Sequence, residues 1–295
     1  MKKFLYKSLK FTAFATLIFI VLNVLYFGIV VKPCLEFRKR MESMKFEDPD
    51  FDLLVIGAST SFDAFDTELL TANGIKSYNL AMGGSSVKAN YIQLMEYMDM
   101  YKRKPEYVIL GLNAPLMQTF DDEVVNPIIE VTMEDHKYCL NDAPILKFKW
   151  LGFEFLKTLV SENHREAKMV LGQLKFQKNI PDQTSYRDLE LDFNKYESSF
   201  WIGEVVRLCD ENDIELIIIE MPGYKVTQNL TETGPHTISF SNGYTANLYN
   251  FNSQEFSSVF DSNSDWVGNS HLNEFGAIKF TNEIIRLLKE QYGQL

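Results

Sequence analysis

Three short apolar runs constrain this chain most: Phe51–Ala58 (FDLLVIGA), Pro105–Asn113 (PEYVILGLN) and Ile214–Glu220 (IELIIIE). Each is too short for a core-spanning helix, and the first two carry a glycine near their end. Such runs read as strands buried on both faces. Between them lie amphipathic stretches. Ser85–Arg103 places Val87, Tyr91, Leu94, Met95 and Met98 on one helical face, and Phe275–Gln291 closes the chain in the same manner. Lys76–Ala81 and Ala246–Phe251 read as two further strands. Strands that alternate with helices predict a three-layer α/β/α fold around a mostly parallel sheet of about five strands.

The N-terminus is different in kind. Residues 11–31 contain no charge, and a helix of that length spans roughly 30 Å, the thickness of a bilayer's hydrocarbon core. The run is long for a signal-peptide apolar region, and no A-x-A cleavage pattern follows it. We therefore expect a basic tail over 1–10, a transmembrane anchor over 11–31, a charged connector over 32–50 and an α/β domain over 51–295. Orientation is not legible from charge. Four lysines precede the span, while Lys32, Arg38, Lys39, Arg40 and Lys45 follow it.

Residues 115–195 interrupt the strand–helix rhythm. They include the aromatic-rich Pro144–Val160 (PILKFKWLGFEFLKTLV). This insertion reads as helical, either a cap that completes the core or a lid or docking surface.

The net charge is −11, and the first 32 residues hold five lysines and no acid, so the remainder carries −16. A body this acidic lacks the basic face that phosphate neutralisation needs, which argues against nucleic acid as a partner. Cys34, Cys139 and Cys209 are odd in number and lack metal-ligand spacing. Neither G-x-G-x-x-G nor G-x-x-x-x-G-K-[ST] occurs, and there is no H-E-x-x-H. No cofactor or metal is expected.

Four blocks carry the candidate chemistry: IGASTS (Ile56–Ser61), NLAMGG (Asn79–Gly84), GLNA (Gly111–Ala114) and NSHLNEFGA (Asn269–Ala277). The first three each follow a predicted strand, and ligands of open parallel sheets bind beyond the carboxyl ends of strands. Ser59 is the candidate nucleophile, with Ser61 as the competing assignment. Gly84, or the adjacent Gly83, suits a backbone donor, and Asn113 a side-chain donor. His271 suits a general base. Each alone is an ordinary turn or cap residue.

Together and in this order the blocks resemble the SGNH (GDSL-like) hydrolase superfamily. The resemblance implies catalysis by Ser59 and His271, with an oxyanion held by the N–H groups of Ser59 and Gly84 and the amide of Asn113. Two positions depart from the family pattern. Ala114 stands where G-x-N-D has its acid, and Gly268 stands where the orienting Asp belongs, three residues before the histidine. Asp265 is the nearest replacement, with Asp261 further away. The chain is also similar to the membrane-anchored, extracytoplasmic group that includes the D-alanyl-lipoteichoic acid transfer protein and the alginate O-acetylation factors. That likeness implies a single-pass membrane protein with an outward-facing body. It further implies a membrane-bound O-acyltransferase as partner and a cell-surface glycan as acceptor, in an O-acyl transfer or esterase reaction. A catalytically silent scaffold is the alternative that the Gly268 departure motivates.

Overall fold

The computed structural model describes residues 1–113, 119–133, 142–160, 167–176, 187–189, 192–224, 226–228, 234–268 and 270–293. The chain forms two compact units, Ser43–Asn126 with Arg165–Leu295, and Met1–Glu42 with Pro127–His164.

The first unit is built on a six-stranded sheet. Its strands are β1 (Leu53–Gly57), β2 (Ser77–Asn79), β3 (Tyr107–Leu112), β7 (Glu215–Glu220), β9 (His236–Ser239) and β10 (Thr245–Asn250). Their order is β2-β1-β3-β7-β10-β9, parallel except for β9, which pairs antiparallel at the edge. The alternation inside each apolar run explains the burial. Leu53 and Val55 face Phe280, Ile284 and Leu288 of the C-terminal helix α12 (Glu274–Tyr292). Leu54 and Ile56 face Leu94 and Tyr97 of α5 (Val87–Met100) and Ile202 and Val206 of α10 (Phe200–Asp210). Each such side chain, fully buried, contributes on the order of 1.5–3 kcal/mol. Helix starts are set by side-chain caps: Ser86 for α5, Ser199 for α10 and Asn273 for α12.

Shorter elements complete this unit: α3 (Ser59–Ala64), α4 (Thr67–Ala72), β4 (Ala167–Val170), β5 (Gln173–Phe176), β6 (Arg187–Leu189), α9 (Phe193–Glu197), β8 (Val226–Gln228) and α11 (Gln254–Ser257). The insertion over 115–195 is thus not wholly helical. Leu171 and Gly172 both have positive φ (45° and 78°), the geometry of a two-residue hairpin turn, and they join β4 to β5. The hairpin lies against the start of the sheet, where Asn79 donates its N–H to Leu171 O at 3.1 Å.

The second unit is helical. Helix α1 (Lys2–Tyr26) runs on through a π-helical turn, Phe27–Val31, and is long and apolar enough to cross a membrane. With it are α6 (Pro127–Thr132), α7 (Pro144–Lys147), α8 (Lys149–Val160) and most of α2 (Leu35–Ser43). Asn23 accepts from Ile145 N at 3.0 Å, and the Tyr26 hydroxyl donates to Phe148 O at 2.8 Å.

Candidate functional site

β1 sends its chain outward to β2 on one side, while β3 lies on its other side, so strand order reverses between β1 and β3. A parallel sheet opens a crevice at such a switch point, beyond the carboxyl ends of the strands. A cleft of about 260 Å³ occupies this place. It is lined by Ala58, Ser59 and Thr60 after β1, by Gly84–Val87 after β2, and by Gly111, Leu112 and Asn113 at the end of β3. Ser59, Gly84 and Asn113, far apart in sequence, share one lining.

The close fit of two strands sets up the turn at Ser59. Gly57 and Gly111 sit opposite each other in register. A Cβ on either would overlap Ser61 Oγ, and one on Gly57 would also lie 2.8 Å from Gly111 O. Ser61 fills this gap, fully buried, and donates to Gly111 O at 3.3 Å. It is a packing residue, whereas Ser59 remains partly exposed in the cleft. Asn79 ties the second block to the same helix, donating from Nδ2 to Ser61 O at 2.7 Å. Asn90 of α5 accepts from Gly57 N at 3.2 Å.

Ser59 is the first residue of α3, and Asp63 lies one turn further along. Side chains at i and i+4 lie on the same helical face, with Cβ atoms roughly 5–6 Å apart. Asp63 Oδ2 is 2.5 Å from His271 Nδ1. The histidine of the fourth block is therefore held on the helix that begins at Ser59, although it stands outside the cleft lining. Helix α12 secures this join. Thr281 Oγ1 accepts from Asp66 N at 2.8 Å, and the Phe65 and Phe280 rings meet edge to face. From the other side Gln173, on the β4–β5 hairpin, donates from Nε2 to Asp63 O at 3.0 Å.

Asp63 is buried, with its side chain 1% exposed, while His271 is 31% exposed. Burial pushes the Asp63 carboxyl up to about 6, and the contact with His271 pulls against that rise. Its Oδ1 has no hydrogen-bond partner among the described residues. A buried carboxylate of this kind favours a positive charge on the imidazole beside it.

The expected orienting acid, Asp265, does not face His271. Its carboxylate accepts from Lys279 Nζ at 2.7 Å, Ser264 Oγ at 2.9 Å and Asp261 N at 2.6 Å. The cause is the local loop. Trp266 and Leu272 form a bridge, and Val267 N donates to His271 O at 2.7 Å. Gly268 takes φ 77° within this tight turn, a left-handed conformation that aspartate adopts at a cost. Asp265 anchors the base of the turn, and the carboxylate beside His271 is that of Asp63. Sequence reasoning missed Asp63, for which the signal is a carboxylate four residues after the candidate nucleophile. Asn269 and Ala114, the ends of two blocks, and Cys139, His136 and His164 lie outside the described residues.

Two donors in the cleft carry no partner among the described residues: Asn113 Nδ2 and Ser85 Oγ, in residues 7% and 5% exposed. No group of three His, Cys, Asp or Glu residues arranged to hold a metal occurs among the described residues.

No protein-family model matches the chain, and no curated protein sequence matches it. Among solved structures, a Bacteroides fragilis protein described as an acylhydrolase is similar at 12% identity, with a TM-score of 0.37 over 86% of this chain and 95% of that one. An active-site mutant of a family two carbohydrate esterase from Clostridium thermocellum is similar at 11% identity, with a TM-score of 0.27 over 85% of this chain and 66% of that one. Both likenesses are distant, and the chemistry of the site rests on its own geometry.

Proposed function

We propose that the chain is a serine esterase or O-acyl transferase of the SGNH type, working at a membrane surface through an acyl-serine intermediate. The observation that carries this reading is the attachment of His271, through Asp63, to the helix that starts at Ser59. The place of Asn113 and Gly84 in the cleft lining with Ser59 supports it.

Asp63 holds the Nδ1 proton of His271 and so leaves Nε2 to act as base. His271 takes the Ser59 proton as Oγ bonds to the ester carbon. The carbonyl oxygen gathers negative charge, which the N–H groups of Ser59 and Gly84 and the Asn113 amide stabilise. One such donor is worth roughly 3 kcal/mol in a transition state. His271 then returns the proton to the departing alcohol, and the cycle runs in reverse with water or an acceptor hydroxyl. A small cleft suits a short acyl group. The uncharged run over 11–31, in α1 and the π-helical turn that follows it, supports membrane anchoring. The outward orientation, a membrane-bound O-acyltransferase as donor partner and a cell-surface glycan as acceptor rest on the sequence resemblance. The scaffold alternative drew its motive from Gly268, and the Asp63–His271 pair weighs against it.

A serine-directed fluorophosphonate tests the reading. Wild-type protein is expected to be labelled and Ser59→Ala is not; equal labelling of both removes Ser59 from the role. Supplying an acyl ester with a sugar and water as competing acceptors then separates transfer from hydrolysis.

A further inference from the structure

Within the helical unit, the apolar helix does more than extend past its neighbours. Ile145 N belongs to the first turn of α7, which has no side-chain cap of its own. Asn23 Oδ1, from α1, takes that N–H, while Asn23 Nδ2 donates to Phe19 O at 2.9 Å. At the other end of α7 the Phe148 carbonyl, which accepts from Leu151 N at 2.9 Å, also receives the Tyr26 hydroxyl. Gly152 of α8 lies so close to Tyr26 that a Cβ there would stand 2.7 Å from its hydroxyl oxygen. Asn23 thus satisfies a backbone N–H at the start of α7, and Tyr26 adds a second hydrogen bond to the carbonyl at its end. Hydrocarbon demands that backbone polar groups be satisfied in this way, because no water is there to replace a missing partner.

The faces of α7 and α8 agree with this. Phe148 and Leu151 are buried inward, yet the outward side also carries large apolar side chains: Leu146, Trp150, Phe153 and Leu156 are 58%, 41%, 65% and 58% exposed. Exposed aromatic and leucine side chains in this number fit an apolar surrounding better than water. Lys149, Glu154 and Lys157 are exposed among these residues; Lys157 pairs with Glu154 at 2.6 Å, and long lysine stems carry charge back toward headgroups. Depth can be counted along α1. Asn23 and Tyr26 lie eight and five residues before Val31, about 12 Å and 8 Å at helical rise. That is close to the depth at which interfacial helices lie.

We propose that α7 and α8 form a second membrane-embedded element, docked on the last turns of the anchor with the Leu146–Trp150–Phe153–Leu156 face in the acyl chains of one leaflet. This inference rests on the reading of α1 as a membrane anchor. The test uses the full-length protein reconstituted in phosphatidylcholine vesicles, with and without lipids brominated on the acyl chains. Tryptophan emission is expected to be quenched in wild type, and the quenched part is expected to vanish in Trp150→Phe. Protein that resists alkaline carbonate extraction but shows no quenching, or shows equal quenching in both forms, overturns the proposal and leaves the anchor standing. Protein that carbonate extracts overturns the anchor itself, and this inference with it.

Discussion

Asp63 and Asp265 are both buried acids, and their partners give them opposite consequences. Asp63 faces an imidazole, and burial pushes it up to about 6. Its folded value lies above the unfolded one of about 3.9. The native state therefore holds this proton more tightly, and ionising Asp63 costs stability progressively as pH rises from about 4 through 6. Activity runs the other way, since protonated Asp63 no longer orients an imidazolium. We expect kcat on a small ester to fall as pH drops through about 6. Asp63→Asn, assayed at pH 8, should lose roughly 10³–10⁴-fold in kcat, the size seen when a triad acid becomes an amide. Its melting temperature at that pH should equal or exceed the wild-type value, because a buried charge has gone. Asp265 instead holds Lys279 and its own loop. Asp265→Asn should lower stability by roughly 1–2 kcal/mol while kcat stays within a few-fold. The reverse pattern, with Asp265→Asn inactive and Asp63→Asn active, would restore Asp265 as the triad acid.

At the scale of elements, what the chain's pattern reveals depends on how many faces an element buries. β1, β3 and β7 are legible because both faces are covered, which forces continuous apolar runs. β9 is four residues at an edge (HTIS), and its alternating burial over so short a stretch gives no periodic signal. The β4–β5 hairpin hides for another reason: Leu171 sits at positive φ, where glycine or asparagine would announce the turn. Ser59, Gly84 and Asn113 are readable as a set because parallel topology gathers strand ends. Asp63 is not, because its partner lies 208 residues away and only the packing of α12 on α3 joins them. The same close packing yields a prediction. Gly57→Ala drives a methyl into Ser61 and the Gly111 carbonyl. It should destabilise the fold by roughly 2–4 kcal/mol, combining backbone strain with overpacking. Chemical denaturation would measure this, and a loss under 1 kcal/mol would mean that β1 and β3 approach less closely.

For the molecule as a whole, net charge gives the proposed activity a salt dependence. Residues after Lys32 carry −16. A field of that sign acts over a Debye length of about 30 Å at 0.01 M salt and about 8 Å at 0.15 M. An anionic polymer is repelled on approach at low salt, and its encounter rate rises as the field is screened. A neutral acetylated sugar feels no such barrier. Raising salt from 0.01 to 0.3 M should therefore increase kcat/KM several-fold for an anionic polymeric ester and leave it nearly flat for a neutral one. If the anionic substrate instead slows with salt, a local basic path guides it despite the net charge, and the acceptor is an anionic polymer. If both are flat, diffusion to the cleft does not limit the reaction, and acceptor choice rests on contacts within the cleft. Of the three outcomes, the first is the one expected from the acidic body.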